Sequence, residues 1–490
     1  MSTNFLRGAG AAALVLILAG CKGATNNDEN FFVLTFRASL SATGGQGTGP
    51  SIKPDMTPDG RFIVFESRAA DLVPNDTNGK SDIFRKDLLS GEIIRVSVED
   101  PSNPDGNDAD GPNANGNSRN PSISADGRFV AFESDANDLV LGDTNASTDI
   151  FIRDLSIPIS LTHTFRVSVE DATNPDGIDD ADNANEDSTN PDISDDGRYV
   201  AFQSLAGDLI ASDTNAKSDI FVRDTLFNIT TRVSKDTAGN EANGPSFNPS
   251  ISGDGKVVAF DSEASNLIGA GLDTNDDRDV FVRNWLSPTP TTTRVSVEDN
   301  GTVAVPLDLD GDAGGDGDNP GAAGVDGDAI SAFPKLSGDG RFVVFVSTAA
   351  DLVLADGNGT NVADVFVRDR LLNTTRRVSV SSQGSEASLG GGAPDISRDG
   401  RWVVFQSSSP DLVLSDTNNA LDVFLRDTVQ NTTIRISLAT YGVETSPFFS
   451  SASPTISTDG RFVAFASNAP NLAPNDSNGT SDIYVRGPLY

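Results

Sequence analysis

The chain has 490 residues, with 71 Asp and Glu against 35 Lys and Arg, one histidine, one cysteine and a formal charge of −36. That charge excludes a nucleic-acid partner, because neutralising phosphates needs a cationic surface. A single cysteine leaves no intrachain disulfide, and a single histidine removes the Ser/His triad, the Cys/His nucleophile and the His-ligated metal as readings.

Residues 1–20 read as a lipoprotein signal peptide: Arg7, an apolar run from Ala11 to Ala19, then Leu18-Ala19-Gly20-Cys21, which resembles a bacterial lipobox. Cys21 would carry the lipid and become the mature N-terminus. The run is too short to span a bilayer comfortably, so membrane contact is expected through the lipid only. By resemblance to lipoproteins of two-membrane bacteria, Lys22 in place of Asp implies the outer membrane, facing the periplasm or the cell surface. Residues 21–30 form a polar tether, and 31–490 read as one domain.

The domain is organised by a repeat whose second copy runs NPSISADGRFVAFESDANDLVLGDTNASTDIFIRD from Asn120 to Asp154. A short SIS precedes Asp126-Gly127, a hairpin signal because Gly takes positive φ at no steric cost. RFVAFES is a β-rich apolar run with both faces to be covered, Phe129 and Ala131 pointing one way and Val130 and Phe132 the other. After the polar GDTNAST loop, DIFIRD and then Phe165–Val169 give the third and fourth strands. The turn recurs at Asp59, Asp126, Asp196, Asp254, Asp339, Asp399 and Asp459, at spacings of 67, 70, 58, 85, 60 and 60 residues. Four-strand units at such a period indicate a radial propeller or a solenoid.

The last unit stops one strand short, and Phe36-Arg37-Ala38-Ser39-Leu40 matches the missing strand. A ring uses an orphan strand of that kind to remove its open edge, whereas a solenoid has no place for it. The expectation is an all-β, seven-bladed β-propeller of four-stranded antiparallel blades, closed by the N-terminal strand completing the last blade. SxDGRFVAFxS followed by DIFVRD resembles the WD40-like propeller repeat of TolB and its relatives, over residues 31–490. The resemblance implies the fold, and it leaves function open because such repeats serve scaffolds, enzymes and accessory domains alike.

Alternation of chain direction puts the B–C loops and the D–A connectors on one face of the ring, and the Asp-Gly and C–D turns on the other. The connectors from Asn103, Asn174 and Leu307 are strongly acidic, so the loop face is expected to hold most of the negative potential.

Seven B–C loops repeat one set of oxygen donors: Asp76, Asn78 and Asp82; Asp143, Asn145 and Asp149; Asp213, Asn215 and Asp219; Asp273, Asn275 and Asp279. Then come Asp356, Asn358 and Asp364; Asp416, Asn418 and Asp422; and Asp476, Asn478 and Asp482. Hard cations want six to eight oxygens, so Ca²⁺ is the expected ion. An EF-hand is ruled out, because the Asp at position 12 lies a strand's length away at roughly 17 Å. The competing reading is that these residues only make Asx-turns.

His163 is expected to be an exposed loop residue, Trp402 a strand B core residue, and the Arg of DIFVRD an inter-blade ion-pair former. The functional expectation is a monomeric, non-enzymatic envelope scaffold for a protein or surface polymer. The alternative is a glycan-active hydrolase or lyase using carboxylates in the central channel, none of which can be singled out from sequence.

Overall fold

A computed structural model describes residues 33–99, 113–156, 163–170, 184–211, 213–269, 272–273, 277–297, 330–350, 352–353, 357–358 and 362–489. Cys21, Asn275, Asp356 and most of the acidic connectors lie outside the described residues. The strands sort into seven four-stranded antiparallel sheets, and no described helix is long and apolar enough to cross a membrane. Blade 1 consists of strands A (Ser51–Met56), B (Phe62–Ser67), C (Asp82–Asp87) and D (Ile93–Arg95). Leu34–Arg37 pairs antiparallel with Asp482–Gly487, Leu34 opposite Gly487 and Arg37 opposite Tyr484, so the ring closes as expected.

Strand A is longer than SIS. In blade 2 it runs Ser118–Ile123, with a register shift between Arg119 and Ser122. Asn120 stands there at φ 48°, and the same left-handed position is Asn190 in blade 3 and Asn248 in blade 4. Asn-Pro reads as a strand breaker, but a β-bulge accommodates both residues and Asn tolerates the left-handed conformation.

The core is seven separate layers, each between two neighbouring blades. Val130 and Phe132 pack with Val64, Ile83 and Val96 of blade 1, whereas Ala131 packs with Val200 and Phe202 of blade 3. Within each blade a B-strand ring stacks on a C-strand ring, as Phe132 does on Phe151 at 5.9 Å. Burying each such ring contributes about 1.5–3 kcal/mol.

The Asp-Gly turns serve both the hairpin and the joint between blades. Asp126 accepts Ser124 Oγ at 2.8 Å and the Arg128 N–H at 2.9 Å. Gly127 has φ 72°, and a Cβ there would lie 2.4 Å from the Phe62 ring of the preceding blade. Trp402 is buried and plays that ring's part over Gly460. The turn arginine reaches the Asp that ends strand C, as Arg128 does to Asp154 at 2.6 Å. Blade 4 departs at both positions together, with Lys256 and Asn284, and blade 7 keeps Arg461 but ends strand C with Gly487.

Two local expectations are corrected. The strand C arginines bond mainly to carbonyls and hydroxyls: Arg486 donates to Leu438 O at 2.9 Å and Thr35 Oγ1 at 2.7 Å, and Arg283 to Lys235 O at 3.0 Å. Where an Asp ends strand C, as in blades 1, 2, 3, 5 and 6, it is taken by the turn arginine instead. His163 is half-buried, its carbonyl accepting the Asp154 N–H at 3.0 Å.

Candidate functional site

The B–C loops bring their carboxylates together, and a guanidinium sits between them. Strand D pairs with strand C so that an arginine stands opposite the C-strand aromatic: Arg95 opposite Phe84, Arg166 opposite Phe151, Arg435 opposite Phe424. From there the side chain reaches the aspartate two residues before that aromatic. Arg95 lies 3.1 Å from Asp76 and 3.7 Å from Asp82. Arg166 meets Asp143 and Asp149 at 3.2 and 3.7 Å, and Arg232 meets Asp213 and Asp219 at 3.0 and 3.4 Å. Arg294 meets Asp273 and Asp279 at 3.8 and 3.3 Å. Arg377 lies 3.5 Å from Asp364 and also contacts Glu386. Arg435 meets Asp416 at 2.9 Å, Asp422 at 3.6 Å and Glu444 at 2.5 Å. In blade 7 the N-terminal strand supplies Arg37, 3.2 Å from Asp476 and 3.3 Å from Asp482.

The loop asparagines are also committed. Asn78 donates its amide to Asp82 at 3.0 Å and to Ala114 O at 3.0 Å, while its own oxygen accepts the Lys80 N–H at 2.9 Å. Asn145, Asn215 and Asn478 repeat the pattern toward Ala184, Ala242 and Gly47; Asn358 donates likewise to Asp364 and Ala387 O, and Asn418 to Asp422 and Thr445. A Ca²⁺ cage needs these oxygens to converge on an empty centre. Here the centre holds a guanidinium and Asn presents N–H groups, so the donor set does not fit a resident Ca²⁺. Among the described residues no group of three or more His, Cys, Asp or Glu is arranged to hold a metal ion. Burial pushes Asp76, Asp143 and Asp219 up to about 6 despite the arginines. In the six blades whose loop asparagine is described, the cage ties the B–C loop, its arginine's strand and the segment leading into the next blade into one joint.

The second constellation lines the central tunnel. The strand A residue before the apolar residue that ends the strand is Asp55, Ser122, Asp192, Ser250, Lys335, Asp395 or Thr455. Most of these side chains accept the N–H of the next blade's strand A. Ile123 donates to Asp55 at 2.9 Å, Ile193 to Ser122 at 3.3 Å, Ile251 to Asp192 at 2.8 Å, Leu336 to Ser250 at 3.2 Å and Ile456 to Asp395 at 3.0 Å. Lysine has no acceptor. After Lys335 and after Thr455 the N–H turns elsewhere: Ile396 and Met56 donate to their own neighbours Asp395 and Asp55, at 2.9 and 2.8 Å.

Lys335 is accessible to water although protein surrounds it on all sides, which fits a side chain inside a solvated tunnel. Burial pulls its ammonium down, but Asp192, Asp395 and Asp55 outweigh that and hold it above the usual lysine range. Burial raises Asp55 to about 7, with Asp395 and Asp192 adding to the shift against the Ile123 N–H and Lys335. Burial also raises Asp395.

At the turn-face end, backbone bonds run from blade to blade: Ala125 N–H to Asp195 O, Asp195 to Gly253, Gly253 to Gly338 and Gly338 to Arg398, each at 2.9–3.0 Å. Arg398 crosses this end to an ion pair with Asp195, three blades away. It passes over Gly253 and Gly338, where a Cβ would collide with it. At the other mouth Phe333 stands 55 % exposed at φ 56°, a strained conformation for an aromatic residue. Blade 5 thus departs from the repeat at both Phe333 and Lys335. Reading the residue four places before each Asp-Gly aspartate, that is the one before the Ile, Met or Leu that ends strand A, finds this girdle in the sequence.

No family model matches the chain, and no curated protein matches it. Similar solved structures include a putative TolB from Agrobacterium tumefaciens, 17 % identical over 76 % of this chain and 91 % of that one, with a TM-score of 0.37. TolB from Acinetobacter baumannii is 12 % identical over 99 % and 92 %, with a TM-score of 0.35. An oligogalacturonate lyase from Vibrio parahaemolyticus is 11 % identical over 95 % and 96 %, with a TM-score of 0.48. The likeness is one of fold: the chain is a seven-bladed propeller with TolB proteins among its structural neighbours.

Proposed function

We propose that the protein is a non-enzymatic scaffold of a bacterial envelope, anchored through Cys21 and presenting its loop face to a protein partner. The observation that carries this reading is an apolar patch on the acidic face. Leu414 is 92 % exposed, Tyr441 83 % and Phe448 81 %, and Leu414 borders a groove of about 500 Å³ lined also by Ile434, Leu438 and Glu444. Exposed aromatic and aliphatic side chains beside carboxylates fit an apolar protein segment with a cationic rim. The tunnel carboxylates support the same reading, since backbone N–H groups occupy them as inter-blade stitches. A photo-crosslinker at Tyr441 should capture one envelope protein, and Leu414→Asp should abolish that capture. Equal capture from the turn face, or capture indifferent to Leu414→Asp, would remove the reading.

The second reading is a glycan-active enzyme, favoured by one observation, the Asp55 carboxyl raised to about 7 beside Asp192, Asp395 and Lys335. Turnover of any member of a polysaccharide panel, lost in Asp55→Asn, would establish it over the scaffold.

A further inference from the structure

From the topology and charge of the ring we infer that the turn face is a membrane-docking surface, held against a phospholipid bilayer by the N-terminal lipid. The inference rests on the proposed acylation of Cys21. Strand D runs from the turn face to the loop face, and Leu34–Arg37 is the D strand of blade 7, so the chain enters the propeller at the turn face. From Cys21 to Leu34 is 13 residues, which span at most about 45 Å fully extended. The tether thus leaves from the turn side of the ring, which puts the turns nearest to a bilayer that holds the lipid.

The charge of that face agrees. We count the seven Asp-Gly tetrapeptides (58–61, 125–128 and their equivalents) together with the C–D turns, each taken from the penultimate residue of strand C. They hold 16 Lys and Arg against 14 Asp and Glu; leaving out the seven strand C cations and the five strand-end aspartates that are buried, nine basic residues stand against nine acidic ones, a net of zero. The rest of the chain then carries 19 basic against 57 acidic residues, a net of −38. An anionic bilayer tolerates a face without net charge.

The C–D turns of blades 3 to 6 add apolar tips. Leu226 is 65 % exposed, Phe227 64 %, Leu286 40 %, Leu371 69 %, Leu372 65 % and Val429 69 %. Exposed apolar residues occur on the loop face too, Leu414 and Tyr441 among them. On the turn face they form an arc over four consecutive blades at near-neutral charge, the composition that inserts shallowly at a headgroup boundary.

The cysteine count makes the test clean. Cys21 is the only cysteine and acylation consumes its thiol, so a cysteine introduced elsewhere takes a fluorescent label alone. Full-length acylated protein is reconstituted on phosphatidylethanolamine–phosphatidylglycerol vesicles with label at Phe227→Cys, Leu372→Cys or Leu414→Cys. A quencher fixed in the bilayer should quench the first two several-fold more than the third. In a Phe227→Asp, Leu371→Asp double variant, quenching of a label at Leu372→Cys should fall to the Leu414→Cys level with the melting temperature unchanged. Equal quenching at all three sites, or more at Leu414→Cys, overturns docking while the anchor stands. The mass of the N-terminal peptide reads the anchor separately, and an unacylated Cys21 overturns both.

Discussion

The arginine cages and the tunnel girdle are each built from seven equivalent positions, yet one repeats and the other varies. Every cage described has an arginine on strand D, opposite the same C-strand aromatic, and an aspartate that begins strand C. Blade 7 keeps the plan with an arginine from the other end of the chain and with Tyr484 for Phe. The girdle reads Asp, Ser, Asp, Ser, Lys, Asp, Thr. A position whose side chain closes a joint in each blade has few chemical solutions. One that only has to accept a single N–H has several, and a blade whose neighbour can supply the acceptor is free to carry lysine.

The comparison breaks most visibly at a cage. Arg435→Ala leaves Asp416 and Asp422 buried without their cation, beside Glu444, and should cost about 3–5 kcal/mol in urea denaturation. In that variant, unlike the parent, millimolar Ca²⁺ should restore part of the loss, because the carboxylates then lack an occupant. A variant as stable as the parent would mean that the guanidinium is incidental.

A smaller effect is expected in the girdle. Asp395→Ala orphans the Ile396 and Ile456 N–H groups, at about 1–3 kcal/mol for each buried donor. The effect of pH tests the same ring. Asp55 in the tunnel and Asp261 on strand B are both raised to about 7, chiefly by burial. The folded state therefore holds protons that an unfolded aspartate, at 3.8, has already released. Stability should rise as pH falls from about 7 toward 4. The turn aspartates Asp87, Asp224 and Asp427 are lowered despite burial, through their arginines and backbone N–H groups, so their contribution is present above 3.8 and lost below it. Melting temperature against pH should therefore peak near the bottom of that window, and Asp55→Asn should flatten its upper slope. The smallest change is expected from Lys335→Ser, which restores an acceptor of the kind Ser250 offers to Leu336. It should be neutral or slightly stabilising, and a large loss would give the ammonium a structural duty.

The number of blades, the ring closure and the facing of Val130 and Phe132 were legible because they follow from recurring turns and strand alternation. The cages were only half legible. Their aspartates and asparagines lie within seven residues of one another, nine in blade 5, and look like a cation site in sequence. The arginine that fills the site arrives 13 residues after Asp82 or 17 after Asp149 and is placed only by C–D pairing. It was visible as the Arg of each strand D, but the loop's own composition had already named calcium as its occupant. The girdle was hidden for a different reason: its members share a position and not a residue type, and Asn-Pro concealed the strand that presents them.

The account depends on arginine standing in the loops where calcium was expected. The direct test is calorimetric melting of the full chain with Ca²⁺ and with EDTA, alongside elemental analysis of the protein as isolated. The same melting temperature in both, with no stoichiometric metal, is the predicted result. A midpoint several degrees higher in Ca²⁺, with metal retained through gel filtration, would contradict it.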